Sequence, residues 1–506
     1  MLKDKNSLVE FFPLILIFLL ALFLRSLFVF TNSISFHYDM GRDAFAAQEI
    51  WKEYHLKILG PPTSIPGLFH GVFYYYLIAP FYLIGKGNPQ FPSFFLSLIS
   101  SLTLFPLYSL SLRIFKEKKW ALLSCLFFAV SFEAVQYGPW LSNPGPALLT
   151  LCLYFLGLKL WQEKKGYGLA LAVLSAAIST QFQLFFAYLF FILPIFQYLF
   201  KTKAARRQLL MSIALGLLGV STIIFSIFKF NTFKRALEGI ALISGSQQLI
   251  SDKLFSDLIA KYINHIASLF TNNFFPTNLF IGGILGILTF YLCRKNLFIF
   301  FALFSSIPVF IFGGHSSNYD NLGILVPAIL GMTLLTKTVF SKDFRMCLIL
   351  ILVVIFVNFF SIYKILPNGQ VSLVIPTGMV LSKQLELIDK TYQIASGRHF
   401  SINSLTLPSW TNTTWSYLYS WYGKEKYGYM PSFYGRDQTG MPGGNFLVQS
   451  GPSETSFFIL EPINGIPPYI YSKEIETENS KTYSANEFKY GDLILQQRVP
   501  LKKSYE

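Results

Sequence analysis

The sequence predicts an all-α polytopic membrane bundle with interfacial helices and a small soluble α/β domain at its C-terminus. Two observations carry this prediction. The 506 residues are 53% hydrophobic and only 13% charged, and the mean hydropathy of +0.48 is far above that of ordinary soluble proteins. The apolar residues also fall in long runs that are separated by short clusters of Lys and Arg, which is the charge pattern that orients membrane helices.

A membrane-spanning helix needs about 20 apolar residues, and about eleven runs in this chain approach that length. They lie near 11–30, 92–112, 120–137, 144–161, 167–182, 184–200, 208–228, 276–293, 297–313, 319–336 and 346–363. The first run begins like a signal peptide, but it is long enough to span and has no small-residue cleavage site. We therefore expect it to be retained as the first helix.

Basic clusters follow alternate runs, as expected if these clusters stay in the cytoplasm. They lie at 113–119, 162–166, 201–207, 294–296 and 337–345. On this topology, residues 1–363 form the transmembrane domain, and two long loops lie outside. One, at 31–91, carries juxtamembrane helices; the other, at 229–275, contains a predicted amphipathic helix that could close over a site as a lid.

The expected location is a cell membrane, most naturally the cytoplasmic membrane of a bacterium, with the active site outside. The topology also accounts for the net charge of +15. Nucleic acid is therefore not an expected partner, whereas membrane lipids are.

The segment 68–85 is apolar enough to span, but a helix there would move the basic cluster at 113–119 to the outer side. Its Tyr and Phe residues are typical of interfacial segments. We expect it to lie along the outer membrane face or to be half inserted. If it spans instead, the count rises within a range of about 11 to 13 helices.

The composition changes after residue 363, where Ser, Thr, Asn, Gly and Pro become common and apolar residues form short alternating runs. This pattern predicts a soluble, extracytoplasmic α/β domain at 364–506. A helix is expected near 378–396, and strands near 399–403, 445–449, 456–460 and 492–498. The four cysteines all lie in apolar runs, which predicts buried reduced thiols and neither a disulfide framework nor a zinc site.

Polar residues that could do chemistry concentrate directly after the first apolar run. His37, Asp39, Arg42 and Asp43 lie within seven positions, before a predicted interfacial helix at 43–59. If residues 39 to 43 are helical, the two acids share one face and the arginine lies beside them. Such a carboxylate could take a proton from a hydroxyl, but the charges could equally mark the headgroup boundary.

The order of elements along residues 10 to 340 resembles the GT-C glycosyltransferases, and most closely the branch of the protein O-mannosyltransferases and the aminoarabinose transferases of lipid A. The resemblance rests on "HYDMGRD" after the first helix, then "GLFHGVFYYYLIAPFYLIGKGNP", "LRIFKEKKWALLSCLFFAVS" and "VQYGPWLSNPGPALL". It implies a polyprenyl-phosphate-linked sugar donor and an acceptor hydroxyl that attacks the anomeric carbon with inversion. The acceptor itself, whether protein, lipid or glycan, is left open.

The resemblance implies that Asp39 is the general base or orients the acceptor. In related chains a second acid commonly follows, but Met40 takes that place here and Asp43 is the nearest substitute. The second outer loop of the relatives often carries another acid, and this chain has Asn143 there. Because hard cations prefer several carboxylates, we expect no metal or other cofactor, although a divalent metal is not excluded.

The donor phosphate needs cationic or hydrogen-bonding partners. Arg42 is the strongest candidate, since a guanidinium can bind phosphate through two hydrogen bonds while it orders Asp39. The other candidates are His70, which replaces a basic residue of some relatives, and His315 and Tyr319 in the loop "HSSNY".

Three amides could bind the substrate. Gln181 and Gln183 lie at the outer end of a predicted span, and Asn143 precedes a proline in the second loop. They could form hydrogen bonds with sugar hydroxyls. Hydrogen bonding between helices for the two glutamines, and a turn position for Asn143, are at least as consistent with the sequence.

Two other functions remain open at this stage. A flippase or exporter of lipid-linked sugars would also be polytopic, but such transporters tend to carry charges or helix breaks at mid-membrane and to have paired halves. An O-antigen ligase or polymerase would also use a lipid-linked glycan, but its key residues generally lie in a late outer loop. The early acid cluster favours the transferase.

Overall fold

The computed structural model describes residues 5–238, 255–307, 322–371, 376–408, 410–444, 448–462 and 466–501. Helices dominate the first 365 residues. The main ones are α1 (Lys5–Phe30), α2 (Tyr38–Lys52), α3 (Phe73–Ile84), α4 (Gln90–Leu102), α5 (Leu104–Phe115), α6 (Lys118–Val130), α7 (Phe132–Tyr137), α8 (Ala147–Gln162), α9 (Gly168–Phe182), α10 (Tyr188–Phe200), α11 (Arg206–Gly219), α12 (Ser221–Phe230), α13 (Phe255–Phe274), α14 (Leu279–Cys293), α15 (Leu297–Phe304), α16 (Leu322–Phe340) and α17 (Phe344–Ile365).

The chain is a multi-pass membrane protein. Four helical segments in the described part are long and apolar enough to cross a membrane, at 11–30, 90–115, 322–340 and 344–368. Two bent pairs, 206–230 and 262–293, raise this number to six if each pair is one span. Shorter apolar helices occupy 73–84, 147–162, 168–182 and 184–200. Among the described residues, the helices that meet this length are fewer than the eleven predicted runs, because several of those runs form short or broken helices.

The predicted span 120–137 is one of these, since it is divided into α6 and α7. The break leaves carbonyls at the end of α6 without helical partners. Arg25, fully buried in α1, donates hydrogen bonds to two of them, Phe128 O and Ala129 O, both at 3.2 Å. The Ser131 hydroxyl then accepts from Ala134 N at 3.2 Å and starts α7.

One expectation for the first outer loop needs correction, and another agrees with the structure. The interfacial helix was predicted at 43–59, but α2 spans Tyr38–Lys52 and so includes the whole acid cluster from Asp39 onward. Within 68–85, the helix is α3, whose 12 residues cover only about 18 Å. A hydrocarbon core of about 30 Å is too thick for a helix of that length to cross. The result agrees with a segment that lies along the membrane face or is half inserted.

The lid-like loop at 229–275 is described only in part, because residues 239–254 lie outside the described ranges. The predicted amphipathic helix, at 241–266, overlaps α13 from residue 255 onward, and its earlier part lies outside the described ranges. The last turns of α13 are buried in the bundle, with Leu269, Phe270 and Phe274 fully enclosed. That end of the segment is a fixed part of the fold. For the remainder of 229–275, the role of a lid stays a prediction.

The C-terminal α/β domain contains a five-stranded sheet with the order β2-β1-β3-β5-β4. Its elements are α18 (Leu381–Ala395), β1 (Ser401–Leu405), α19 (Thr413–Leu418), α20 (Lys424–Tyr427), β2 (Ser432–Phe433), β3 (Ser456–Leu460), α21 (Pro468–Asn479), β4 (Thr482–Tyr490) and β5 (Leu493–Pro500). β1 pairs in parallel with β2 and β3, whereas β5 pairs antiparallel with β3 and β4.

The prediction found α18, β1, β3 and β5 within about three residues but missed α19, α20, β2, α21 and β4. It also placed a strand at 445–449, where residues 445–447 lie outside the described ranges and Val448 forms only an isolated bridge with Phe433. β4 was missed because most of its side chains are exposed and polar, so its sequence has no apolar face to reveal it.

The C-terminal domain is fixed to the first outer loop by backbone hydrogen bonds. Leu381 N donates to Ile34 O at 3.0 Å and Phe36 N donates to Met379 O at 2.8 Å. Farther along, the Tyr417 hydroxyl donates to Gly87 O at 2.6 Å. The domain therefore holds both ends of the loop that carries α2.

Helix α2 also lies directly against α19. A Cβ atom on Gly41 would approach Thr414 Cα to 3.2 Å and Thr413 O to 3.3 Å, so only a residue without a side chain fits comfortably. This contact fixes the distance between the acid cluster and the C-terminal domain.

We predict that Gly41→Val lowers the stability of the detergent-solubilised protein by about 1–3 kcal/mol, because the added methyl groups overpack this contact. Thermal unfolding followed by intrinsic fluorescence measures the change. Gly283→Val is the matched control, since an added Cβ there meets no atom within 4 Å. Equal unfolding temperatures for the two variants would contradict the proposed packing constraint.

Candidate active site

The acid cluster lies in the first turns of α2. Asp39 follows the first helical residue, where a carboxylate interacts favourably with the positive end of the helix. Arg42 and Asp43 come three and four positions later and therefore lie on the same side of the helix as Asp39. The sequence alone thus places all three groups together once a helix starts at Tyr38.

Arg42 forms ion pairs with both acids. Its Nη1 lies 2.6 Å from Asp39 Oδ1, and its Nε lies 2.8 Å from Asp43 Oδ1. The guanidinium side chain is only 11% exposed. Both carboxylates raise the pKa of Arg42, although burial opposes them, so the guanidinium stays charged.

The two acids differ in exposure, which gives them different roles. The Asp43 side chain is 2% exposed and that of Asp39 is 47% exposed. Burial raises the pKa of Asp43 to about 6, against the opposing effect of the Arg42 charge. Asp39 is therefore the accessible acid of the pair, whereas Asp43 is enclosed and contacts Arg42 from the protein side.

A cavity of about 440 Å³ opens beside this cluster. Arg42 lies on its wall with Tyr75 of α3, Phe230 of α12 and Pro442 of the C-terminal domain. Helix α2 contributes Ala46 and Glu49, and the chain that follows α2 contributes His55, Leu56, Lys57, Ile58, Leu59, Gly60, Pro62 and Phe69. The cavity therefore lies where the first outer loop, the helical bundle and the C-terminal domain meet.

The chain between α2 and α3 folds back on itself and places His70 near this cluster. Pro62 and Phe69 form an isolated bridge, and His70 N donates to Pro61 O at 2.8 Å. Leu184 N donates to His70 Nδ1 at 3.1 Å, so the ring proton is on Nε2. Burial lowers the pKa of His70 to about 4, with a further lowering by Arg42. His70 is thus uncharged at neutral pH and can offer a phosphate one hydrogen bond but no charge.

The predicted amides have different surroundings. Asn143 and Gln183 are buried against each other, since Asn143 Nδ2 donates to Gln183 Oε1 at 2.9 Å. This pair lies one residue from the His70 contact at Leu184. Gln181 is instead held at the bend between α11 and α12, where its Nε2 donates to Gly219 O at 2.9 Å and to the Thr222 hydroxyl at 2.8 Å. The predicted role of Gln181 as an interhelical hydrogen-bonding residue therefore describes its contacts best.

His315 and Tyr319, predicted to bind the donor phosphate, lie outside the described residues. Within the described ranges, no group of three or more His, Cys, Asp or Glu side chains is arranged to hold a metal. The four cysteines are buried and free, as predicted.

Glu133 in α7 is a buried acid of the helical bundle that the sequence reasoning did not single out. Its carboxylate accepts from the Tyr137 hydroxyl at 2.9 Å and from Asn273 Nδ2 at 2.7 Å. Glu133 lies inside an apparently continuous apolar run, and Asn273 is 140 positions away. An acid inside an apolar run is itself a signal of a buried polar contact, although the sequence does not show which residue pairs with it.

No known protein-family model matches the sequence, and no curated protein matches it at a significant level. Two solved structures share its overall fold. ArnT, an aminoarabinose transferase from Cupriavidus metallidurans, matches in its undecaprenyl-phosphate complex with a TM-score of 0.57, 8% identity and 98% of each chain covered. The apo form of ArnT matches with a TM-score of 0.55, 9% identity and coverage of 96% of this chain and 97% of ArnT.

The chain has the GT-C fold. The family resemblance inferred from the order of elements is therefore confirmed at the level of the fold, including the small C-terminal sheet. A weaker likeness is to the oligosaccharyltransferase of Archaeoglobus fulgidus, with a TM-score of 0.45, 12% identity, and coverage of 76% of this chain and 58% of that one.

We predict that acid weakens this protein partly through His70. Its folded pKa of about 4 lies below its usual value, so the stability it contributes is present above pH 6.5 and is lost as the pH falls toward 4. Between pH 7 and pH 5 this amounts to up to about 2 kcal/mol.

The variant His70→Asn keeps an acceptor near the position of Nδ1 but cannot titrate. Its loss of thermal stability between pH 7 and pH 5 should be smaller than that of the wild type. Identical pH dependence in the two proteins would show that His70 is not held neutral by burial.

Proposed function

We propose that this protein is an inverting glycosyltransferase that moves a sugar from a polyprenyl-phosphate donor to an acceptor hydroxyl at the outer face of the membrane. The observation that carries the proposal is the pairing of an exposed carboxylate, Asp39, with a buried arginine, Arg42, which also lines a cavity. A base and a phosphate-binding cation are the two groups that this transfer requires. The GT-C fold supports the same reaction class.

In the proposed reaction, the acceptor oxygen attacks the anomeric carbon from the face opposite the phosphate. The bond between the anomeric carbon and the phosphate oxygen breaks through an oxocarbenium-like state, and its electron pair stays on the phosphate. The acceptor proton passes to Asp39. Oδ1 of Asp39 is held by Arg42, and among the described residues no group donates to Oδ2, which supports its use as the proton acceptor.

Arg42 would act at the other end of the breaking bond. A guanidinium can bind phosphate oxygens and stabilise the charge that develops on the leaving group. Asp43 would keep that guanidinium in place, and His70 would donate one hydrogen bond from Nε2. This scheme assigns part of the charge stabilisation to Arg42 and routes no step through a metal ion.

The proposal extends to location and partners. The alternation of basic clusters supports an active site and a C-terminal domain on the outer side of the membrane. The donor would be a polyprenyl-phosphate sugar, since ArnT was solved with undecaprenyl phosphate bound. Pro442 lies in the cavity wall, which supports a role for the C-terminal domain in binding the acceptor or the donor.

We predict that Asp39→Asn lowers transfer by about 10²- to 10⁴-fold, as expected for loss of a general base. The measurement is the release of free undecaprenyl phosphate in proteoliposomes. The vesicles contain a panel of undecaprenyl-phosphate sugars and an extract of the native membrane as the source of acceptor. Glu53→Gln is the control, because it removes an exposed carboxylate at the far end of the same helix.

Two outcomes would contradict the proposal. Normal release by Asp39→Asn would remove that residue from the reaction. Movement of the lipid-linked sugar between leaflets by the wild type, without any release of undecaprenyl phosphate, would identify a flippase instead.

A further inference from the structure

The charges around the cavity leave the proposed donor phosphate short of one cation. Arg42 is already matched by Asp39 and Asp43, at 2.6 and 2.8 Å. His70 is neutral, because burial lowers its pKa to about 4. A phosphodiester donor carries one negative charge, and its phosphate gains a second as the bond to the sugar breaks. Neutralising that second charge requires another positive group.

Lys57 is a cation on the same cavity wall. It follows α2 in the chain that folds back toward α3, and its side chain is 24% exposed. The Tyr76 hydroxyl donates to Lys57 O at 2.8 Å and fixes the backbone at this point to α3. The long side chain can therefore reorient while the backbone of Lys57 stays in place.

In the structure, the Lys57 ammonium pairs with Glu49, which lines the same cavity from α2. Glu49 is 34% exposed, and His55 Nδ1 lies 3.5 Å from the same carboxylate oxygen. A half-exposed pair of this kind is weak, so either partner can be replaced at small cost. A phosphate in the cavity would offer Lys57 an alternative anion.

We propose that Lys57 is a second phosphate-binding residue. When the lipid binds, the Lys57 ammonium separates from Glu49 and binds the phosphate of the lipid. The inference rests on the proposed function and adds a residue to its site. Glu49 then acts as a competing anion that holds Lys57 over the cavity. The ammonium contributes most when the phosphate bears two charges, as in free undecaprenyl phosphate.

Binding of undecaprenyl phosphate to the full-length protein in nanodiscs tests this proposal. Lys57→Gln is expected to weaken the affinity about tenfold, whereas Lys57→Arg should retain most of it. Glu49→Gln is expected to tighten binding several-fold, because it removes the competing anion. Lys52→Gln, which removes an exposed lysine at the end of α2 that does not line the cavity, should bind as the wild type does.

Undecaprenol serves as a second probe because it has the same chain and no phosphate. Its binding should be the same in Lys57→Gln and in the wild type. If Lys57→Gln weakens the binding of both lipids equally, the substitution alters the shape of the site. If it leaves the binding of both lipids unchanged, Lys57 is not a ligand. Either result overturns the inference.

Arg42→Gln separates failure of this inference from failure of the proposed function. If Arg42→Gln loses undecaprenyl phosphate binding and Lys57→Gln does not, only the role of Lys57 is wrong. If neither substitution changes binding, the cavity is not the donor site.

Discussion

Arg42 is held between two carboxylates whose surroundings differ, and the candidate site depends on this arrangement. Asp43 is enclosed and fixes the guanidinium from the protein side, whereas the side chain of Asp39 is half exposed to solvent. Removing either partner would leave a largely buried charge incompletely paired, which is costly. The arrangement therefore fixes the position of a cation and of an accessible carboxylate together, about one helical turn apart.

Two contacts keep α2 where this cluster can work. Its N-terminal turns pack against the backbone of α19 at Gly41, and the chain before it is hydrogen-bonded to the start of α18. The C-terminal domain also supplies Pro442 to the cavity wall. The cavity is thus built from parts of the chain as far apart as Arg42 and Pro442, 400 positions along the sequence. Its geometry depends on docking of the C-terminal domain as well as on the helical bundle.

Local sequence patterns were enough to predict much of the fold. Apolar runs located most of the helices, and alternating apolar residues located β1, β3 and β5. The errors arose where distant residues decide the outcome. The break after α6 depends on Arg25, more than 100 positions away, and the polar strand β4 is stabilised by pairing with β5. Neither contact has a local signal.

The same distinction applies to the site. Asp39, Arg42 and Asp43 were predictable because a single helix turn brings them together. The proximity of His70 to Leu184, and of Asn143 to Gln183, depends on how separate segments pack. The neutral state of His70 follows from burial, which the sequence does not reveal. Lys57 resembled an ordinary charged residue of an interfacial helix until the helix proved to end at Lys52.

The central claim is that the cavity beside Arg42 holds the phosphate of a polyprenyl lipid. A cryo-EM structure of the wild-type protein with undecaprenyl phosphate in nanodiscs tests it most directly. The account predicts density for the phosphate within hydrogen-bonding distance of the Arg42 guanidinium, with the Asp39 carboxylate next to the position of the anomeric carbon. A phosphate bound elsewhere, with the cavity beside Arg42 containing only solvent, would contradict it.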